Sequence, residues 1–273
     1  MKLVIIVFFV TLLFCNEEEK YTFINKLKEG HRVTYKDDYI MTFNIPGMGE
    51  SRQGSNHTAL MEYLGERDGF YLIQSTLSNI TSINILGDDI SSDYDAQTIN
   101  NIPCLLYIDV NGEIDHLETE NEYMEDIFNE KYLGMLENNY IYPFGKNAEE
   151  ISVGDSWTKV RDSIIFFMDA SGSESFMSTN TVYTLEKVKS KKGIKIAYIS
   201  GVTSLNCEFQ MIINGEFMDG YTTGTFNNSY RYDIDHSELI RVTGVGKMQG
   251  EYEMLDLNFN TKFNISSTTK RIK

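Results

Sequence analysis

The sequence predicts a mostly β protein with one central helix, built as two similar curved antiparallel sheets of the half-open-barrel kind related by an internal repeat. Three observations carry this. Several long segments alternate apolar and polar residues with period two. Tyr and Phe, at 17 and 16 residues, are abundant while Pro occurs only three times in 273, a composition suited to pleated sheets. Matched segments recur about 124 residues apart, as from Gly30 to Gly154 (154 − 30 = 124).

The amino terminus stands outside this pattern. Met1-Lys2 precedes twelve residues, Leu3 to Phe14, with one Thr and no charge. As a helix they rise about 18 Å, well short of the ~30 Å hydrocarbon core, so they are too short to span a bilayer. One lysine, a short apolar run and the abrupt acidic stretch Glu17 to Glu19 describe a signal peptide over residues 1–14. Cys15 follows, and the position resembles a bacterial lipobox: Leu12 suits the motif, and Phe14 stands where a small residue is usual. The resemblance implies that Cys15 is lipidated and that residues 15–20 are a tether. The protein is then extracytoplasmic and lipid-anchored to a bacterial membrane, with a secreted or periplasmic soluble form as the alternative.

The first β repeat is expected over residues 21–120. Strands run through Val33 and Tyr35, from Leu60 to Leu64, and over Phe70 to Gln74. Asn111-Gly112 separates Leu105–Val110 from Glu113–Leu117, a strong hairpin signal because both central residues of a type I′ turn need positive φ. Residues 121–145 then supply a helix and a connector. From about Glu122 to Asn138, Met124, Ile127, Phe128, Tyr132, Met135 and Leu136 recur at helical spacing, and Pro143 and Gly145 end regular structure.

The second repeat is expected over 146–273. Ile194, Ile196 and Tyr198 form an apolar face opposed to Lys195 and Ala197. Tyr230, Tyr232 and Ile234 alternate with Arg231, Asp233 and Asp235. Leu255, Leu257, Phe259, Thr261, Phe263 and Ile265 alternate with Asp256, Asn258, Asn260, Lys262 and Asn264. Each pattern puts one face in a core and one in water. Three matches across the connector support duplication: Lys26–Gly30 with Glu150–Gly154, Asp68–Gln74 with Lys192–Tyr198, and Tyr107–Ile114 with Tyr232–Leu239.

Charge narrows the partners. With 24 Lys+Arg against 40 Asp+Glu the formal charge is −16, which repels phosphate backbones and argues against nucleic acid. Setting Cys15 aside, Cys104 and Cys207 form an even pair that either makes one disulfide or stays as two buried thiols.

Val153-Gly-Asp-Ser-Trp157, with Gly224–Asp233 downstream, resembles an uncharacterised family of bacterial exported lipoproteins with a V-G-D-x-W strand opening. The resemblance covers mainly the second half and implies export and a β fold, with no established chemistry. In physical terms Gly154-Asp155 turns the chain and Trp157 anchors it.

The same segment offers an enzyme reading. Gly154-Asp155-Ser156 is similar to the nucleophile block of G-D-S hydrolases, and Asp233 to His236 has the spacing of their orienter and base. That chemistry needs a serine between a buried strand and a helix, whereas the residues after Trp157 alternate as in a strand. No enzyme activity is expected, and hydrolysis through Ser156 and His236 is the weaker alternative. No metal and no cofactor are expected: the four His lie far apart, and Asp88, Asp89, Asp93 and Asp95 form an acidic loop without the glycine turn or terminal Glu of an EF-hand. The function expected is that of a non-catalytic envelope lipoprotein binding an apolar or amphipathic small molecule or lipid between two sheets. The alternative is a structural or interaction module docking on an envelope protein.

Overall fold

The computed structural model describes residues 19–272, apart from 24–25, 46–48, 87–88, 92–97, 110–111, 121–123, 126–127, 129–143, 145–149, 166–173, 214–215 and 255–256. The described part is almost wholly antiparallel β. Its strands are β1 Arg32–Ile45, β2 Gly49–Arg67, β3 Phe70–Leu86, β4 Asp89–Ser91, β5 Pro103–Ile108, β6 Ile114–Glu118, β7 Ser156–Ile165, β8 Glu174–Lys191, β9 Ile194–Ile213, β10 Glu216–Asp233, β11 Glu238–Met254 and β12 Leu257–Arg271.

Where the sequence suggested two sheets, the hydrogen bonding makes one. The order is β6-β5-β3-β2-β1-β12-β11-β10-β9-β8-β7, with β4 on β3 outside that path. The first half and the last half are each a meander, and the pairing of β1 with β12 from Tyr35↔Arg271 to Phe43↔Phe263 fuses them. Laid flat, eleven strands at ~4.8 Å spacing would separate the edges by about 48 Å. Yet Lys159 Nζ on β7 lies 3.8 Å from Glu113 Oε1 just ahead of β6, so the sheet curls until its ends approach.

Long strands with short turns place all reversals at two ends. The turns after β2, β8 and β10 gather at one end, called here the base, and the connections after β1, β7, β9 and β11 at the other. The core collects at the base. Phe23, Phe144, Leu77, Ile99, Leu106, Ile108, Leu117, Leu185 and Leu239 are all under 2 % exposed. Phe23 stacks on Trp157 at 5.9 Å and meets Phe144 edge-on at 5.5 Å; Phe144 touches Tyr183, Tyr230 and Tyr232 at 5.5, 5.6 and 5.3 Å. Offset and edge-to-face geometries of this kind add to what the buried area already contributes.

The openings of the two halves share a backbone pattern. Gly30 (φ +80°) donates to Tyr63 O at 2.8 Å, and Tyr63 N–H donates to His31 O at 2.9 Å; Gly154 (φ +99°) donates to Leu185 O at 2.8 Å, and Leu185 N–H to Asp155 O at 3.0 Å. A register shift follows each, between Tyr63 and Gly65 on β2 and between Leu185 and Lys187 on β8. Both hairpins close through paired positive φ, Asp68 and Gly69 at 54° and 87°, Lys192 and Gly193 at 55° and 83°.

Alternation holds along β12. Phe259, Phe263 and Ile265 are half-buried and Thr261 buried, while Asn258, Asn260, Lys262 and Asn264 are exposed. Two faces differ from expectation. On β9, Ala197 and Ile199 point into the core, and Ile194, Ile196 and Tyr198 lie on the outer face; small Ala197 sits inside because it pairs with bulky Tyr232 on one side and Val188 on the other. On β10, Asp233 is 1 % exposed although its partner Ile196 lies on the outer face, because the β10–β11 turn folds over its carboxylate, which accepts the N–H groups of Asp235 and His236. Of the helix expected over 122–138, most lies outside the described residues; Met124 packs on the core and Phe128 is buried in it.

Candidate functional site

The inner face is ordered in rungs that run across the strands. One rung, at the upper edge of the core, runs Trp157, Tyr183, Gly201, Asn228, Gly244, Ser267, Tyr39 and Ser55. The next, toward the tips, runs Lys159, Thr181, Thr203, Phe226, Gly246, Ile265, Met41 and Gln53. A third runs Arg161, Thr179, Leu205, Gly224, Met248, Phe263, Phe43 and Ser51. The rungs change character along their length. On β10, β11, β12 and β1 they carry Phe226, Met248, Phe263, Ile265, Met41 and Phe43, all half-buried rather than buried, with Phe43 and Phe263 in ring contact at 5.5 Å. On β7, β8 and β9 the two rungs toward the tips carry Thr179, Thr181, Thr203, Lys159 and Arg161, with Leu205 as their one apolar residue.

Glycine shapes the apolar stretch. A Cβ on Gly246 would meet the Phe226 ring at 2.3 Å, and one on Gly250 would meet the Tyr252 hydroxyl at 2.3 Å. The rings therefore lie flat across β11 where other residues would lift them off the sheet.

On the polar stretch Thr181 and Thr203 share a hydroxyl hydrogen bond of 2.8 Å. Lys159, 19 % exposed, has its ammonium pKa lowered by burial, which outweighs the carboxylates of Glu113 and Asp109. Burial likewise lowers that of the Arg161 guanidinium, against Glu113 and Tyr183. Desolvation thus exceeds compensation at both cations.

The residues singled out as a hydrolase are held in two separate pairs. Ser156 Oγ is hydrogen-bonded to Thr184 Oγ1 at 2.8 Å on an exposed part of β7. His236 Nδ1 lies 3.0 Å from Asp233 Oδ2, and Asp233 Oδ1 also accepts the backbone N–H groups of Asp235 and His236. Asp233 and His236 are thus brought together as the sequence spacing suggested, as the cap of the β10–β11 turn. The V-G-D-x-W segment is a strand opening: Asp155 Oδ2 accepts the Ser152 N–H at 2.9 Å, and Trp157 Nε1–H donates to Phe144 O at 3.2 Å.

Each histidine has a carboxylate beside it: His31 with Glu238, His57 with Asp37, His116 with Asp115 and His236 with Asp233. Among the described residues no group of three metal-ligating side chains converges. Cys104 on β5 and Cys207 on β9 are free and buried. Cys15 and residues 1–14, expected as a signal peptide, lie outside the described residues, as do the side chains of the expected acidic loop at Asp88, Asp89, Asp93 and Asp95. Among the described residues no helix is long and apolar enough to cross a membrane.

One feature escaped the sequence reading. The end of the β8–β9 hairpin carries Lys187, Lys189, Lys191, Lys192 and Lys195 within nine residues. Its trace in the sequence is a run of like charge in an acidic chain, overlapping the segment Lys192–Tyr198 of the repeat match.

Compared with known protein families and with curated proteins, the chain matches none. Among solved structures it is similar to a loop-deleted OmpT, an outer membrane protein of Vibrio cholerae, with 10 % identity over 89 % of this chain and 100 % of that one and a TM-score of 0.27. It is also similar to the β domain of the Bordetella autotransporter BrkA, at 7 % identity over 88 % and 99 % with a TM-score of 0.25. An outer membrane channel of Pseudomonas putida follows, at 9 % identity over 91 % and 98 % with a TM-score of 0.24. At such scores the likeness carries no argument about fold or function.

Proposed function

We propose that the protein is a non-catalytic lipoprotein of the bacterial envelope, anchored through Cys15, that holds an apolar or amphipathic molecule against the inner face of its curled sheet. The observation that carries this is the contrast along the strands. At the base, aromatic side chains are completely buried; one and two rungs further out, Phe226, Ile265, Met41, Met248, Phe263 and Phe43 keep partial exposure on the same face. Half-buried apolar surface lining the concave side of a curled sheet is what a ligand would complete. The hydroxyls and cations of β7 to β9 suit the polar end of an amphiphile. The paired openings at Gly30 and Gly154, with their bulges and hairpins, support the duplication of a five-strand unit, β1-β2-β3-β5-β6 and β7 to β11.

Mass spectrometry of an organic extract of the purified full chain tests the proposal. A lipid or other amphiphile recovered in near-stoichiometric amount supports it. Protein that is ligand-free, and that leaves a fluorescent fatty-acid probe unbound, overturns it.

An interaction module is the second reading. It is favoured by exposed valines on the outer face, where Val182 and Val202 pair across β8 and β9 and Val245 is 60 % exposed.

A further inference from the structure

We infer that the base end of the β8–β9 hairpin is a docking surface for the anionic headgroups of the bilayer to which the chain is tethered. The inference rests on the lipid anchor proposed for Cys15 and adds an orientation to it.

Charge supplies the first argument. Residues 187–195 hold five lysines and no Asp or Glu. The rest of the chain then has 24 − 5 = 19 basic against 40 acidic residues, a balance of −21. The net charge of the molecule conceals this polarity, and within a Debye length of about 8–10 Å it is local charge that a surface feels. Lys187, Lys189, Lys191 and Lys192 are all exposed.

Composition of the patch supplies the second. Tyr198 lies on the outer face with Lys187 Nζ 5.2 Å and Lys189 Nζ 5.9 Å from its ring, and Arg231 Cζ 5.7 Å away. Ile194 and Ile196 share that face, half-buried. A tyrosine and two isoleucines ringed by cations combine the apolar and basic chemistry that seats proteins at an anionic interface.

Position supplies the third. Lys195 Nζ is paired with Glu19 Oε1 and lies 5.7 Å from the Tyr21 ring, while Tyr21 is fixed to Ile151 by two backbone hydrogen bonds of 2.8 Å. The amino-terminal segment is thereby pinned beside this hairpin. Glu19 is four residues from Cys15, and four residues extend at most about 14 Å. An acylated Cys15 holds the bilayer surface close to Lys195. Of the acidic groups nearby, Glu19 is engaged by Lys195, Asp235 accepts the Lys195 N–H, and Glu186 accepts the Ser200 hydroxyl.

The experiment uses the full chain purified with its native anchor and reconstituted into vesicles of phosphatidylcholine, alone or mixed with phosphatidylglycerol. An environment-sensitive dye on Ser190→Cys reports the hairpin, and one on Asn258→Cys reports the opposite end of the sheet. Headgroup-labelled quencher lipid should quench the first dye in anionic vesicles only. High salt should abolish the effect, as should K187Q/K189Q/K191Q/K192Q, with Trp157 emission unchanged as a check on folding. Each surface lysine strengthens association roughly fivefold at low salt, so four together are worth roughly 600-fold. Vesicle-bound protein with no quenching at position 190, or equal quenching at both positions, overturns the docking surface and leaves the anchor standing. Protein that fails to stay with neutral vesicles overturns the anchor; the same chain is then sedimented with anionic vesicles. Salt-sensitive binding lost in the lysine variant upholds the docking surface, and absence of binding overturns it.

Discussion

Tyr21 and Ile151 exchange both of their backbone hydrogen bonds at 2.8 Å, joining the segment ahead of β1 to the segment ahead of β7. Phe23, two residues on, is wholly buried among Trp157, Phe144 and Tyr232. Phe23→Ala should therefore cost about 3–5 kcal/mol, the usual penalty for removing a buried aromatic ring. Urea unfolding followed by Trp157, the chain's single tryptophan, measures this; a loss below about 1 kcal/mol would show that the amino-terminal segment is not part of the core.

The buried carboxylate of Glu238 lies between Arg271, on the last residue of β12, and His31, just ahead of β1. Arg271→Met should cost about 1–3 kcal/mol, discounted from the 3–5 typical of broken buried pairs because Arg271 is 28 % exposed. Glu238→Gln in the same background should recover part of the loss, since the orphaned charge is then gone. A double-mutant cycle in urea reads both, and additive losses would exclude the coupling.

Burial first, and the Glu125 charge second, push the Cys104 thiol up to about 12; burial also raises Cys207. In the folded state both should resist iodoacetamide at pH 8 and react fully only in denaturant. The raised thiol binds its proton more tightly in the folded than in the unfolded chain. Between about pH 9 and 12 the unfolded state therefore loses protons first, and stability falls as pH rises. Tyr39, Tyr63 and Tyr183, pushed up to about 12 mainly by burial, act in the same direction. Part of the tyrosinate absorbance should rise only with loss of β signal; complete ionisation of all 17 tyrosines below the unfolding transition would contradict this.

Gly246→Ala should destabilise by about 1–3 kcal/mol, because its Cβ would land 2.3 Å from the Phe226 ring. Phe226→Leu combined with Gly246→Ala should restore part of that loss. Equal stability of wild type and Gly246→Ala would mean that the ring does not lie across β11.

On the proposed lipoprotein reading, Cys15→Ser should leave export intact, because the apolar run from Leu3 to Phe14 that would direct it is unchanged, and should abolish the anchor. Detergent-phase partitioning decides it: wild type in the aqueous phase, or a processed Ser variant in the detergent phase, would refute lipidation.

Much of the fold was legible because period-two alternation survives wherever one face is solvated, as in Asn258 to Ile265 on β12. Asp68-Gly69 and Lys192-Gly193 were legible as matching members of the repeat, and both are turns with paired positive φ. Pairing across the sheet was not. Nothing in the sequence near Tyr35 announces Arg271 as its neighbour, and with β1 and β12 unpaired two sheets are the natural reading. The face of β9 was misjudged for a related reason: whether Ala197 or Ile196 points inward depends on the size of Tyr232 opposite, a tertiary fact. The inner rungs carrying Lys159 and Arg161 were legible as strand residues, but their burial comes from the curling of the sheet, which no local pattern encodes.

The pairing of β1 with β12 also sets a timetable. Tyr35 and Arg271 are 236 positions apart (271 − 35 = 236), so an emerging chain presents β1 with one side unsatisfied until the fifteen residues of β12 arrive. Closing so long a loop is slow, and meanwhile the bare side of β1 is a template on which another chain's strand can add. For a chain made from its amino end, this makes the interval between the appearance of β1 and the release of β12 the period of greatest exposure to aggregation. A chaperone that shields β1, or a slowing of synthesis before β12, would act in that interval and leave the finished molecule unchanged.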